Sequence, residues 1–217
     1  MEIKETRDKI LLAMLPHVAF DGWTRRSLNA GVADAGFPPE MAYRAFPHGM
    51  DDVIAYWSSY SDRRMVEGME RLDLDAMRVR DRIATGVRLR IEVNTRYREA
   101  VRRALSFLAL PLNAAIAARN TYNTVDAIWY AAGDTSTDFN FYTKRGLLAP
   151  VYVSTVLYWL SDESKDCAAT WEFLDRRIDD VLQVPKIQAR IQNAIGAFVP
   201  PLTSRRRGRG FRRRRTT

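Results

Sequence analysis

The chain has 217 residues, 47% of them hydrophobic, with one cysteine and a formal net charge of +8. This suits a single domain with a sizeable core, and the lone Cys167 excludes an intramolecular disulfide and offers no metal cluster. Eight of the 34 basic residues are arginines between 205 and 215, and the others match the 26 acidic residues in number, so a partner drawn by charge alone would meet the tail and not the body.

Taken in order, residues 4–19 place Leu11, Met14, Leu15 and Val18 on one face of a first helix. Asp21-Gly22 is a turn signal, and Thr24 can cap a second helix over about 25–35, stopped at Gly36. Pro38-Pro39 opens a short third helix around 40–46 and Pro47 stops it. A fourth, from Met50 to about Leu72, carries Val53, Trp57, Tyr60, Met65 and Met69. This is the layout of a helix-turn-helix head. Ala42 to Pro47, followed by Asp52-Val53-Ile54, resembles the end of the DNA-reading helix in tetracycline-repressor-type regulators. DNA reading is nevertheless not expected. Between Asp21 and His48 Arg25, Arg26 and Arg44 are balanced by Asp21, Asp34 and Glu40, so phosphate attraction is weak. The start of the third helix also lacks Arg, Asn and Gln to read base edges.

Further on, Val79, Ile83, Val87 and Ile91 form a stripe over 77–94, and Tyr97, Val101, Ala104, Leu105 and Leu108 form another, closed at Pro111. Residues 112–132 carry Ile116, Tyr122, Val125, Ile128 and Trp129 and end at Gly133, a helix C-terminal stop. A helix is expected from about Asp138, with Thr135, Ser136 and Thr137 offering side-chain caps. Its second half, Leu147 to Leu160, holds 14 uncharged residues. That is about 21 Å of helix, too short for a hydrocarbon layer of about 30 Å, and Pro150 should break or kink it. A kinked, buried helix is the expectation. After a polar turn at 161–164, Trp171, Leu174, Ile178, Val181 and Leu182 mark another helix from about Ala168. No segment shows sustained strand alternation, so the chain is read as all-helical.

Pro185 restarts the chain. Ile187, Ile191, Ile195, Phe198 and Val199 fall at helical spacing among Lys186, Arg190 and amides, and the arginine tail follows Pro200-Pro201. A basic amphipathic segment beside a polybasic run reads as an interfacial membrane contact. A helix docked on the body with a solvated tail, or a tail that touches RNA, are the alternatives. The N-terminal sixteen residues mix acids and bases with apolar positions, unlike a secretory signal or a transit peptide.

Catalytic groups are scarce. His17 adjoins a core stripe, His48 follows a helix stop, and Cys167 has Asp166 beside it and no nearby base. No glycine-rich phosphate loop and no di-iron carboxylate pattern occurs. No catalysis and no cofactor are expected. Aromatics interleaved with alanines in the later helices are consistent with a ligand cavity and equally with ordinary core packing.

The run Asp134-Thr135-Ser136-Thr137-Asp138-Phe139-Asn140-Phe141-Tyr142-Thr143-Lys144-Arg145, with Thr170 to Ile178 downstream, resembles the "Coq nine" family of lipid-binding accessory proteins of ubiquinone biosynthesis. The resemblance implies an all-α, tetracycline-repressor-like helical bundle that forms a homodimer and does not regulate transcription. It divides the chain into a helix-turn-helix-like head (1–48), a helical lipid-binding domain (49–184), an amphipathic membrane-contact segment (185–199) and a basic tail (200–217). It implies a pocket for an isoprenoid quinone or phospholipid, for which the expected wall is Val93, Leu105, Leu108, Ile116, Val125, Trp129, Leu147, Leu148, Val151, Tyr152, Trp171 and Leu174. It implies a patch for the demethoxyubiquinone hydroxylase at Ile128, Asp138, Phe141, Tyr142 and Arg145, and membrane contact through Ile187, Arg190, Ile191, Ile195 and Phe198. Relatives commonly carry Trp at position 141; Phe141 keeps the aromatic body without the indole donor. Because mitochondrial relatives carry a transit peptide, the composition of the N-terminus suggests a bacterial cytoplasmic protein, peripheral on the inner membrane. A ligand-responsive transcription regulator is the competing reading.

Overall fold

The computed structural model describes residues 3–134 and 139–181, with backbone alone at 139 and 140. The described helices belong to one unit, Met1–Val181. Leu182–Thr217 form a second unit, outside the described residues, as do the capping positions 135–137 and the membrane-contact positions 187, 190, 191, 195 and 198.

In chain order the helices are α1 (Ile3–Asp21), α2 (Arg25–Asp34), α3 (Met41–Ala45), α4 (Met50–Met69), α5 (Val79–Glu92), α6 (Arg98–Leu108), α7 (Ala114–Ala131), α8 (Phe139–Ser161) and α9 (168–181), and no strand occurs among the described residues. The head forms as its stripe requires: Leu11, Met14, Leu15 and Val18 are essentially inaccessible to solvent. Thr24 caps α2 reciprocally with Ser27, each side-chain oxygen accepting the other's backbone N–H. Gly31 lets α2 lie directly on α1, since a Cβ there would stand 2.6 Å from that of Met14. α3 starts at Met41, later than Pro38-Pro39, because the carbonyls of both prolines are spent accepting the N–H groups of Met41 and Ala42.

α4 runs through two apolar clusters. Its first half packs with α1–α3 and α6, where Trp23 lies against Trp57 at 4.9 Å and donates its indole N–H to Ala100 O. Its second half supplies Met65 and Met69 to a cluster with α5, α7, α8 and α9. α6 ends at Leu108, and Pro111 opens a short turn into α7 where the spacing predicts only a stop. α7 ends as expected, with Gly133 at φ +87°.

α8 differs from expectation. Pro150 does not break it, and its apolar run is not wholly buried: Val153, Leu157 and Tyr158 remain substantially exposed. Its C-terminal carbonyls are held by α6. Arg98 donates to Trp159 O and Asp162 O, and Arg102 donates to Leu160 O, the favourable placement of cations at a helix C-terminus. Asp162 then anchors the next turn, accepting the N–H groups of Ser164 and Thr170 and the Thr170 hydroxyl.

Those hydrogen bonds hold the Asp162 carboxyl well below the usual aspartate range. A depressed folded-state pKa contributes stability above the unfolded value near pH 4 and loses it progressively as pH falls further. Asp162→Asn is therefore expected to destabilise at neutral pH, with the deficit shrinking below about pH 4. Chemical denaturation at neutral pH and at about pH 3 checks this; a deficit independent of pH would mean that the charge of Asp162 is not what holds the turn.

Candidate functional site

α4, α5, α6, α7 and α8 enclose a cavity of about 780 Å³. The hollow exists because small side chains stand where large ones would close it: Ala104 and Ala109 at α6, Ala117 and Ala118 on α7, and Gly146 and Ala149 on α8. Ile54, Trp57, Ile91, Leu105 and Val156 supply apolar wall. On α8 the lining runs from Tyr142 to Trp159, about 25 Å at 1.5 Å per residue. Tyr122, Tyr142 and Leu157 are lining residues that are also solvent-exposed, so the cavity is not sealed.

One part of the wall is polar. Arg90 and Asp62 are both buried, and Arg90 Nε meets Asp62 Oδ1 at 2.6 Å. Thr124 Oγ1 donates to the same carboxylate oxygen at 2.8 Å. Arg90 also donates to Ser58, and Asn94 accepts from Ser61 while donating to Arg90 O. Burial pushes the Tyr152 phenol above its ordinary pKa, so it stays protonated and able to donate. Asn120, one turn before Thr124 and also on the wall, is 8% exposed and its Nδ2 has no hydrogen-bond partner. A buried donor left unpaired costs about 1–3 kcal/mol, so this position favours a ligand carrying an acceptor oxygen.

Beside the cavity, the junction of α7 and α8 is braced by charge. Arg145 Nε meets Asp126 Oδ1 at 2.6 Å, and its Nη1 meets Asp134 Oδ2 at 3.3 Å and donates to Phe141 O. Lys144 Nζ meets Asp134 Oδ1 at 2.7 Å. The Arg145 guanidinium lies over the Phe141 ring, which packs edge-on against Tyr142. Tyr142 is 67% exposed. Tyr142 therefore belongs both to the cavity wall and to the outer surface.

Of the expected wall, Leu105, Leu108 and Tyr152 line the cavity. Val125, Leu148, Val151 and Leu174 are instead buried in the second apolar cluster, with Trp129 and Trp171 packed against it. Val93, Ile116 and Leu147 are half-buried and also off the wall. Of the expected patch, Phe141 and Tyr142 lie at the surface edge, Ile128 is fully buried, Arg145 is buried in its ion pairs, and Asp138 lies outside the described residues. Sequence reasoning missed Ile54, Trp57, Arg90, Asn94 and Asn120. Arg90 left a trace: it falls on the same face as Val87, Ile91 and Asn94, where a charge needs a buried partner.

A family model described as COQ9 matches residues 114–185. The ubiquinone biosynthesis protein COQ9, mitochondrial, of Drosophila melanogaster is 32% identical over 201 residues, covering 91% of this chain. The chain belongs to the COQ9 family. Its human counterpart is 29% identical over 205 residues, and the probable ubiquinone biosynthesis protein coq9 of Dictyostelium discoideum is 29% identical over 198. This COQ9-family chain spans 61% of the length of the Drosophila protein and 64% of the other two. The fold is that of TetR regulators: a TetR transcriptional regulator from Nitrosomonas europaea superposes with a TM-score of 0.68 at 20% identity, covering 82% of this chain and 98% of its own. One from Rhodococcus gives 0.61 at 15% identity, covering 83% and 98%. At such identities the likeness concerns architecture only.

The bacterial cytoplasmic location expected above is overturned. These COQ9 relatives, from insect, slime mould and human, are all named mitochondrial. The expectation rested on the composition of the first residues, and where a sequence begins does not carry that conclusion.

Proposed function

We propose that this chain is a non-enzymatic accessory protein of ubiquinone biosynthesis that holds an isoprenoid quinone intermediate in its cavity and presents it to the demethoxyubiquinone hydroxylase. The observation that carries this reading is the long, mainly apolar cavity among α4–α8, within the size range of ligand sites. Water exacts about 25 cal/mol per Å² of exposed apolar surface, so a polyprenyl chain gains by leaving water for such a wall. Asn120 Nδ2 and the Tyr152 hydroxyl supply donors for quinone or phenol oxygens. The names of the relatives support the pathway. The C-terminal segment 185–199 serves as reversible membrane attachment, and the protein acts as a homodimer.

Protein purified from its native host should yield a quinone, isoprenoid or phospholipid on extraction and mass spectrometry. Recovery of none would remove the carrier reading. The docking surface centres on Tyr142, which is exposed, edge-packed on Phe141 and continuous with the cavity wall. Tyr142→Ala is expected to weaken hydroxylase binding about tenfold or more, as for an aromatic anchor, with little change in Tm. Affinity measured by calorimetry beside a thermal melt checks both; equal losses would make Tyr142 a packing residue.

A further inference from the structure

We propose that the elbow between α6 and α7 enters a lipid layer and carries the cavity's edge to it. From residue 104 to residue 118 the chain has no charged side chain. The two helical segments that meet there, Thr95–Leu108 and Pro111–Ala131, bend by 99°, and an 18-residue stretch across the bend is apolar enough to match a membrane-facing segment in composition. No single helix among the described residues is long and apolar enough to cross a membrane, so the elbow is suited to dip into one leaflet. At its tip Leu112 is 95% exposed and Leu110 54%. Single exposed apolar side chains are ordinary, but a contiguous apolar projection marks a contact surface.

Charge identifies what covers it. The chain between 96 and 119 carries five arginines and the single acid Glu99; Arg98 is spent on the C-terminus of α8, and Arg96, Arg102, Arg103 and Arg119 remain exposed or half-exposed on either side of the apolar run. An uncharged tip with a basic collar complements anionic headgroups above an acyl layer. The same collar disfavours a second copy of the chain, because a two-fold contact would bring arginines onto arginines. It also disfavours the chain's own segment 185–217, which holds no acidic residue. The elbow is continuous with the cavity, since Leu108, Ala109, Ala117 and Ala118 line it. Insertion therefore brings acyl or prenyl chains to the cavity wall without passage through water. The carrier reading explains why this is useful; the surface itself is argued from exposure and charge.

The test uses the full chain with Cys167, the one native thiol, replaced by serine. Leu112→Cys labelled with nitrobenzoxadiazole is mixed with vesicles of equal parts phosphatidylcholine and phosphatidylglycerol. Expected are a blue shift and a several-fold gain in emission, quenched by lipids brominated on the acyl chain, and retained when 182–217 are deleted. Leu110→Asp with Leu112→Asp should weaken vesicle co-sedimentation about tenfold or more, while far-UV circular dichroism and binding of geranylgeraniol in solution stay unchanged. The proposal is overturned if the protein does not bind vesicles, or if it binds them with the probe's emission unchanged. It is equally overturned if the probe is already blue-shifted without lipid, whether that shift grows with protein concentration, as for a second copy, or vanishes on deletion of 182–217. Loss of geranylgeraniol binding in the unsubstituted chain would count against the carrier reading and leave the vesicle result standing.

Discussion

Asp62→Ala is expected to destabilise the protein by about 3–5 kcal/mol, the cost of leaving a buried charge without its partner. For a domain of this size that corresponds to a fall in Tm of about 6–20 °C. Arg90 is 7% exposed, and its short ion pair with Asp62 is the charge compensation it has beside the apolar cavity wall. Thr124 would lose its acceptor at the same time. The paired substitution Asp62→Leu with Arg90→Met removes both charges, and in comparable settings such exchanges are near neutral or stabilising. The double variant should thus melt well above Asp62→Ala. Differential scanning calorimetry of both proteins settles the matter. An Asp62→Ala protein as stable as the parent would mean that water entering by the cavity solvates Arg90, and the polar wall would then be wet and adaptable rather than a fixed element.

The second large effect is on ligand binding. Ala117→Phe with Ala149→Phe places two rings on the cavity wall, one from α7 and one from α8. Each isoprene unit so excluded forfeits burial of five carbons, about 3–4 kcal/mol at about 0.8 kcal/mol per carbon, or about a hundredfold or more in affinity. Stability should move the other way, by about +0.5–2 kcal/mol, because filling a void adds contacts. Opposite signs are the discriminating feature. If these alanines were close-packed, the added volume would instead cost about 1–3 kcal/mol. Titration with prenyl alcohols of increasing length should show the longest losing most, since the shortened cavity truncates the chain and not the headgroup contact. Unchanged affinity for every length would place the lipid elsewhere.

Both predictions concern residues that are hard to choose from the chain alone. The helices and their buried faces were readable because the causes are local. A stripe such as Leu11, Met14, Leu15 and Val18 needs only the 3.6-residue period, the Thr24 cap only its own first turn, and the stop at Gly133 only a residue that accepts positive φ. Family membership was readable for another reason: the polar run at the start of α8 is specific in composition, whatever its conformation.

What could not be read is which apolar side chains face a neighbour and which face a void. Leu105 and Val125 obey the same periodicity, yet Leu105 lines the cavity and Val125 is sealed in the core. Periodicity assigns a side chain to the inner face of its helix and is silent about what stands opposite. That depends on how helices distant in sequence cross, and on coincidences such as Ala117 and Ala149 falling on one cavity. The same holds for the Asp62–Arg90 pair, 28 residues apart, and for Ile128 and Arg145, which tertiary packing withdraws from a surface where sequence likeness had placed them. Local chemistry thus specified the helices, their inner faces and the family, whereas the hollow, its polar wall and its exposed lip arise from non-local packing, because an unfilled volume is a property of several elements together and of none of them alone.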